Sequence, residues 1–152
     1  VLLNLVLGGD GQSRLFKQLR EEEGLCYYAA SHVEALSGLL FVVAAIESAT
    51  YHRAKTIVER QIESLRWGYI ENYEIDSARS LLQARLLGLA EDREAFFRFQ
   101  LREDLIGGGQ SPEKLWRSVE RVGIDDLVRV ANHLKADTAY LLHGGVGAKI
   151  AI

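Results

Sequence analysis

The chain has 152 residues, 48% of them hydrophobic, with a net charge of −3 and its 13 arginines and 5 lysines scattered along it. A chain this long buries roughly 68–70% of the surface its unfolded form exposes, enough for one sizeable core and one domain. No overall positive field exists to attract phosphate backbones, so nucleic acid is not an expected partner. The longest apolar run, GLLFVVAAI, falls well short of the ~20 residues that a membrane-spanning helix requires, and no basic-then-apolar signal opens the chain, so a soluble domain is expected. A single cysteine, Cys26, rules out an internal disulfide and leaves the compartment open, favouring a reducing one. No methionine occurs, and the sequence reads as a piece of a longer polypeptide.

In chain order, VLLNLVL is expected to be the end of a buried helix, stopped by Gly8 and Gly9 through the left-handed turn that glycine tolerates. Asp10 or Ser13 can cap a second helix in which Leu15, Phe16 and Leu19 share one face and Lys17, Gln18 and Glu21 the other, closed by Gly24. The pattern then turns β-type. YYAASHVEAL, a break at Ser37-Gly38 and LLFVVAAIES predict an antiparallel hairpin. Because Leu39 to Ile46 are apolar at consecutive positions, the second strand is expected to be covered on both faces or central in its sheet.

After Ser48 or Thr50, either able to cap, Ala54, Ile57, Val58, Ile62 and Leu65 mark an amphipathic helix ended by Gly68. Another starts after Asn72 with Ile75, Ala78, Leu82, Leu86 and Leu89 on one stripe. In EDREAFFRFQLREDLI the residues Phe97, Leu101 and Leu105 form the expected apolar stripe before Gly107-Gly108-Gly109. Ser111-Pro112 opens the next helix, carrying Leu115, Val119 and Val122 to Gly123. DDLVRVANHL makes a short last helix, TAYLLH a strand returning to the sheet, and GGVGAKIAI a tail or linker. This order argues for an α+β fold, an antiparallel sheet with helices packed on it, in one domain over residues 1–143 with a tail over 144–152. Three strands are few for so many helices, and further strands are expected before residue 1.

Candidate chemistry is sparse. The four histidines, at 32, 52, 133 and 143, form no HxxEH, HExxH or HxxxH pair, so no metal site is expected in this chain. Cys26 has no histidine near it in sequence and reads as a small buried residue rather than a nucleophile. Gly8-Gly9-Asp10-Gly11 lacks the preceding strand and spacing of a phosphate loop. Glu21-Glu22-Glu23 reads as a solvated face, or as an attraction for a basic partner. Arg20, in the last turn of the second helix, and Tyr27, opening the first strand, are placed so that a tight reversal could bring both to one sheet edge. They offer hydrogen-bond donors suited to carbonyl oxygens. The plainer alternative pairs Arg20 with Glu21, Glu23 or another acid and lets Tyr27 cap the core.

The string LGG-x-x-x-SRLF-x-x-LRE-x-x-GL-x-Y resembles the insulinase/pitrilysin family of zinc metallopeptidases, or inverzincins, in its non-catalytic C-terminal half. The likeness continues through GLLFVVAAIES, WGYIENYEIDSARSLL, VERVGIDDLVRVANHL and TAYLLHGG, over residues 2–145. It implies a two-half architecture in which similar α+β halves face one another across a chamber. One half carries HxxEH and the zinc; the other supplies an arginine and a tyrosine to the peptide substrate, here Arg20 and Tyr27. HxxEH is absent from this sequence, so the resemblance implies no catalytic residue and no bound cofactor in this chain, with zinc in an HxxEH-containing catalytic half on the same polypeptide or a separate subunit. Where many relatives carry LGGG, this chain has Leu7-Gly8-Gly9-Asp10. Two competing expectations are a structural or assembly domain that keeps the fold without handling a substrate, and an independent hydrolase using Cys26.

Overall fold

The computed structural model describes residues 1–143; the expected tail over 144–152 lies outside the described residues. Among the described residues, seven α-helices and a two-stranded antiparallel sheet make an α+β fold, in the order α1 (Leu2–Gly8), α2 (Arg14–Phe16), a π-helical turn (Lys17–Glu22), β1 (Cys26–Glu34), β2 (Leu39–Ile46), α3 (Tyr51–Arg66), α4 (Asn72–Gly88), α5 (Arg93–Leu105), α6 (Pro112–Glu120) and α7 (Ile124–His133).

Helix α1 is the hub. Leu2, Leu3, Leu5, Val6 and Leu7 are all buried, which is possible for a short helix only if neighbours surround it. It lies against the inner face of the hairpin, where Ser31 Oγ donates to the Asn4 carbonyl at 3.1 Å, and against α4 and α7. Gly8 serves that contact. A Cβ there would stand 2.4 Å from the Ser31 amide nitrogen, so only glycine lets the helix approach the strand this closely. The expected left-handed stop does not occur, because Gly9 has φ −76°.

Helices α3, α4, α6 and α7 follow their sequence patterns. Ile75, Ala78 and Leu82 bury one stripe of α4; Ser111 caps α6 by accepting from the Lys114 amide at 3.3 Å, with Pro112 in the first turn. Neither Ser48 nor Thr50 caps α3 through its side chain; residues 48–50 instead form a 3-10 turn in which the Thr50 hydroxyl donates to the Glu47 carbonyl.

Three expectations are corrected. In β2, Leu40, Val42, Ala44 and Ile46 pack on the core, whereas Leu39, Phe41, Val43 and Ala45 face outward and are exposed. Among the described residues the strand pairs with β1 alone, and its outward side chains are exposed, so its continuous apolar run is half uncovered. Residues 138–143 form no strand. Tyr140 and Leu142 stand exposed, since no described strand offers them a ladder. In α5 the Phe97, Leu101 and Leu105 stripe is exposed, and Phe99 and Glu103 are buried instead. The amides of Gly108 and Gly109 both return to the Glu103 carbonyl, at 3.0 and 3.1 Å, closing the end of the helix, and Arg102 pairs with the buried Glu103 carboxylate at 2.9 Å.

Candidate functional site

The segment from Arg14 to Tyr28 departs from the single α-helix that the sequence suggests. After one α-turn it widens into a π-helical turn, with the Glu23 amide bonded to the Gln18 carbonyl at 3.1 Å, an i→i+5 bond. Leu15 and Leu19 anchor it in the core, fully buried. Gly24, at φ +60°, then reverses the chain so that the Leu25 amide reaches the Leu19 carbonyl at 2.8 Å. The left-handed conformation is why glycine is needed at that point.

The strand that follows begins with an irregularity. Cys26 opposes Ile46 and Tyr28 opposes Ala45, so Tyr27 is an extra residue in β1, a bulge. Strict alternation would send Tyr27 and Tyr28 to opposite faces. With the bulge, Cys26 packs toward the core, both tyrosines are exposed, and Ala29 is buried again. Tyr27 is 82% exposed, so it does not cap the core.

Arg20 and Tyr27 are side by side. The Arg20 guanidinium carbon lies 5.1 Å from the centre of the Tyr27 ring and 4.7 Å from that of Phe16. The acids beside Arg20 are engaged elsewhere or stand in solvent: Glu22 accepts from Gln18 at 2.6 Å, Glu23 pairs with Arg53 on α3, and Glu21 is exposed. Among the described residues Arg20 makes no ion pair and the Tyr27 hydroxyl makes no hydrogen bond. Beyond the pair, the outer sheet face shows Tyr28, Phe41 and Val43, with His32 stacked on Phe41 at 4.9 Å. Cys26, at the foot of the bulge, is half-buried; burial pushes its thiol pKa up, and the Arg20 charge pulls it partly back.

Sequence reasoning missed Phe16 as a partner of Arg20, although their i,i+4 spacing was a readable signal. It also missed the bulge and the Glu23–Arg53 tie, which only the tertiary structure sets. Among the described residues no three His, Cys, Asp or Glu side chains converge to hold a metal ion, so these residues do not fit a zinc centre. No helix among them is long and apolar enough to cross a membrane. An open cleft of about 470 Å³ lies apart from this site, lined by Glu63, Arg66, Trp67, Asn132, Leu134 and Lys135.

A layer of helices on one face of an antiparallel hairpin defines an α+β domain. Residues 1–82 match the family model described as the peptidase M16 inactive domain, and the chain belongs to that family. It is 26% identical over 147 residues to the "Probable inactive metalloprotease YmfF" of Bacillus subtilis, covering 97% of this chain and 34% of that one. It is 32% identical over 136 residues to an uncharacterized zinc protease of Mycobacterium tuberculosis, covering 88% and 31%. It is 28% identical over 144 residues to the mitochondrial-processing peptidase subunit alpha of Caenorhabditis elegans, covering 91% and 28%. Among solved structures, the fold is similar to that of a conserved protein from Enterococcus faecalis at TM-score 0.77 and 23% identity, over 86% of this chain and 31% of that one. A protease from Helicobacter pylori follows at TM-score 0.71 and 22% identity, over 86% and 32%. The chain spans about a third of the length of the curated relatives it matches.

Proposed function

We propose that this chain serves as the substrate-holding, non-catalytic half of a zinc peptidase, in which Arg20 and Tyr27 donate hydrogen bonds to the main chain of a bound peptide and to the oxyanion that develops at its scissile carbonyl. One observation carries the reading: the two side chains are adjacent and exposed, and no internal acid occupies them. Donors fixed in advance and aimed at developing negative charge stabilise a transition state without the cost of reorganising at the moment of reaction. Arginine supplies several fixed N–H donors, and tyrosine one O–H donor.

The zinc ligands belong, in this reading, to an HxxEH-containing half. The uncovered outer face of the sheet, with Tyr28, Phe41 and Val43 beside the pair, is where the peptide would lie between the halves. Family membership supports the pairing of halves, and one relative is named as a peptidase subunit. Residues 1–143 act as one unit.

The test is Tyr27→Phe in the complete enzyme, with the HxxEH half present. Turnover should fall by about 10²–10³-fold, the usual effect of removing one oxyanion donor, with the zinc content unchanged. Unchanged turnover would transfer the chain to the assembly-domain alternative.

A further inference from the structure

We propose that Phe16 is a positioning residue, whose ring, together with the π-helical turn, clamps the Arg20 guanidinium over Tyr27. This deepens the functional reading above and rests on it for its effect on turnover. An exposed arginine at the end of a helix ordinarily samples many rotamers, and fixing a long charged side chain costs conformational freedom. Arg20 has no carboxylate to hold it, since Glu22 and Glu23 are engaged by Gln18 and Arg53. Its guanidinium instead sits between two ring faces, 4.7 Å from Phe16 and 5.1 Å from Tyr27. Ring faces attract the cation through their negative quadrupole while leaving the N–H donors at the guanidinium edge unused. A carboxylate would fix the side chain equally well but would consume those donors. The arrangement therefore orders Arg20 without occupying it.

The backbone keeps this clamp in place from both sides. Phe16 is the last residue of α2, half-buried beside the fully buried Leu15, so its ring is anchored. The turn that carries Arg20 is tied to α3 by Glu23 and Arg53. On the other side, the bulge at Tyr27 brings the second ring to the outer face. A turn closed by an i→i+5 bond is an uncommon element, often found at functional sites, and here it joins the anchored ring to the arginine it orders.

Two readouts test the proposal on the full chain. The first is proton cross-relaxation between the Arg20 side chain and the Tyr27 ring. It should vanish in Phe16→Leu, while the amide spectrum elsewhere stays folded, and persist in Phe16→Tyr. Should Phe16→Leu fail to fold, replacing Phe16 by pentafluorophenylalanine keeps the shape and reverses the ring quadrupole, and the same cross-relaxation should weaken. The second is turnover with the HxxEH half present: Phe16→Leu should lower kcat, with the misplacement costing up to about 10²-fold, and Phe16→Tyr should restore it. Undiminished Arg20–Tyr27 cross-relaxation in Phe16→Leu, or in the fluorinated chain, overturns the proposal. Failure of the functional reading looks different: the guanidinium leaves the Tyr27 ring in Phe16→Leu, yet turnover is indifferent even to Tyr27→Phe.

Discussion

Arg14 and Arg20 lie six residues apart on one continuous helical segment, and their surroundings are opposite. Arg14 is spent entirely on the fold. Its Nε and Nη2 donate to the two carboxylate oxygens of Glu74 at 2.6 and 2.7 Å, Nη1 donates to Ser64 Oγ at 2.6 Å, and Nη2 also reaches the Tyr69 carbonyl. Both side chains of the ion pair are only 11% exposed. The cluster joins α2 to α3 and α4, and Glu74 also accepts from the Glu71 amide to close the N-terminal cap of α4. Arg20 is held by ring faces, with its donors turned to solvent. The same residue type is structural where each of its nitrogens is bonded inside, and available for a ligand where none is.

Four experiments break or sharpen that contrast. Removing Glu74 by Glu74→Ala should cost the most, about 3–5 kcal/mol, because it leaves the Arg14 charge buried and unpaired; urea unfolding measures it, and the double change Arg14→Leu with Glu74→Leu should recover much of the loss. A cost below about 1 kcal/mol for Glu74→Ala, the range of an exposed pair, would mean that Arg14 is as free as Arg20. Next, Arg20→Ala should change stability by no more than about 0.5–1 kcal/mol, the worth of an exposed cation–π contact.

A smaller effect is expected at the tie that positions the π-helical turn. Arg53 is largely exposed, so Arg53→Ala should cost roughly 0.2–1 kcal/mol, with much of that difference gone in about 1 M salt. Double-mutant cycles with Glu23→Ala at both salt concentrations would measure this. The smallest signal is a titration. Because the Arg20 charge favours the Cys26 thiolate, Arg20→Ala should move the midpoint of Cys26 alkylation to higher pH, whereas Arg14→Lys should leave it in place. A midpoint that does not move in Arg20→Ala would put the guanidinium away from the strand.

Helix existence was legible wherever the apolar period and the punctuation agreed. Ile75, Ala78 and Leu82 on α4, and Ser111-Pro112 before α6, needed nothing beyond local sequence. Facing was harder to read. Phe97, Leu101 and Leu105 make as good a stripe as any in the chain, yet it is Phe99 and Glu103 that are buried, because periodicity marks a stripe without saying what packs on it. The run Leu39 to Ile46 recorded strand propensity but could not say how many layers would cover it, and residues 138–143 carry strand-type alternation without a described neighbour to pair with. For the candidate site, the motif singled out Arg20 and Tyr27, which the structure places side by side. Their contact was not legible, because it depends on a widened turn and an extra strand residue, and neither has a signature in single-residue propensities.

The extra residue in β1 has a consequence for how this segment tolerates change in length. Downstream of it, Ala29 and Ser31 must meet α1, so losing or gaining one residue between positions 29 and 34 would turn the strand inside out. At Tyr27 itself a one-residue deletion would merely heal the ladder, preserving every inward contact and leaving one outward tyrosine where there are two. The ladder and the doubled tyrosine are thus separable by a single codon: a chain shortened there would keep its inward register and present one phenol beside Arg20 in place of two.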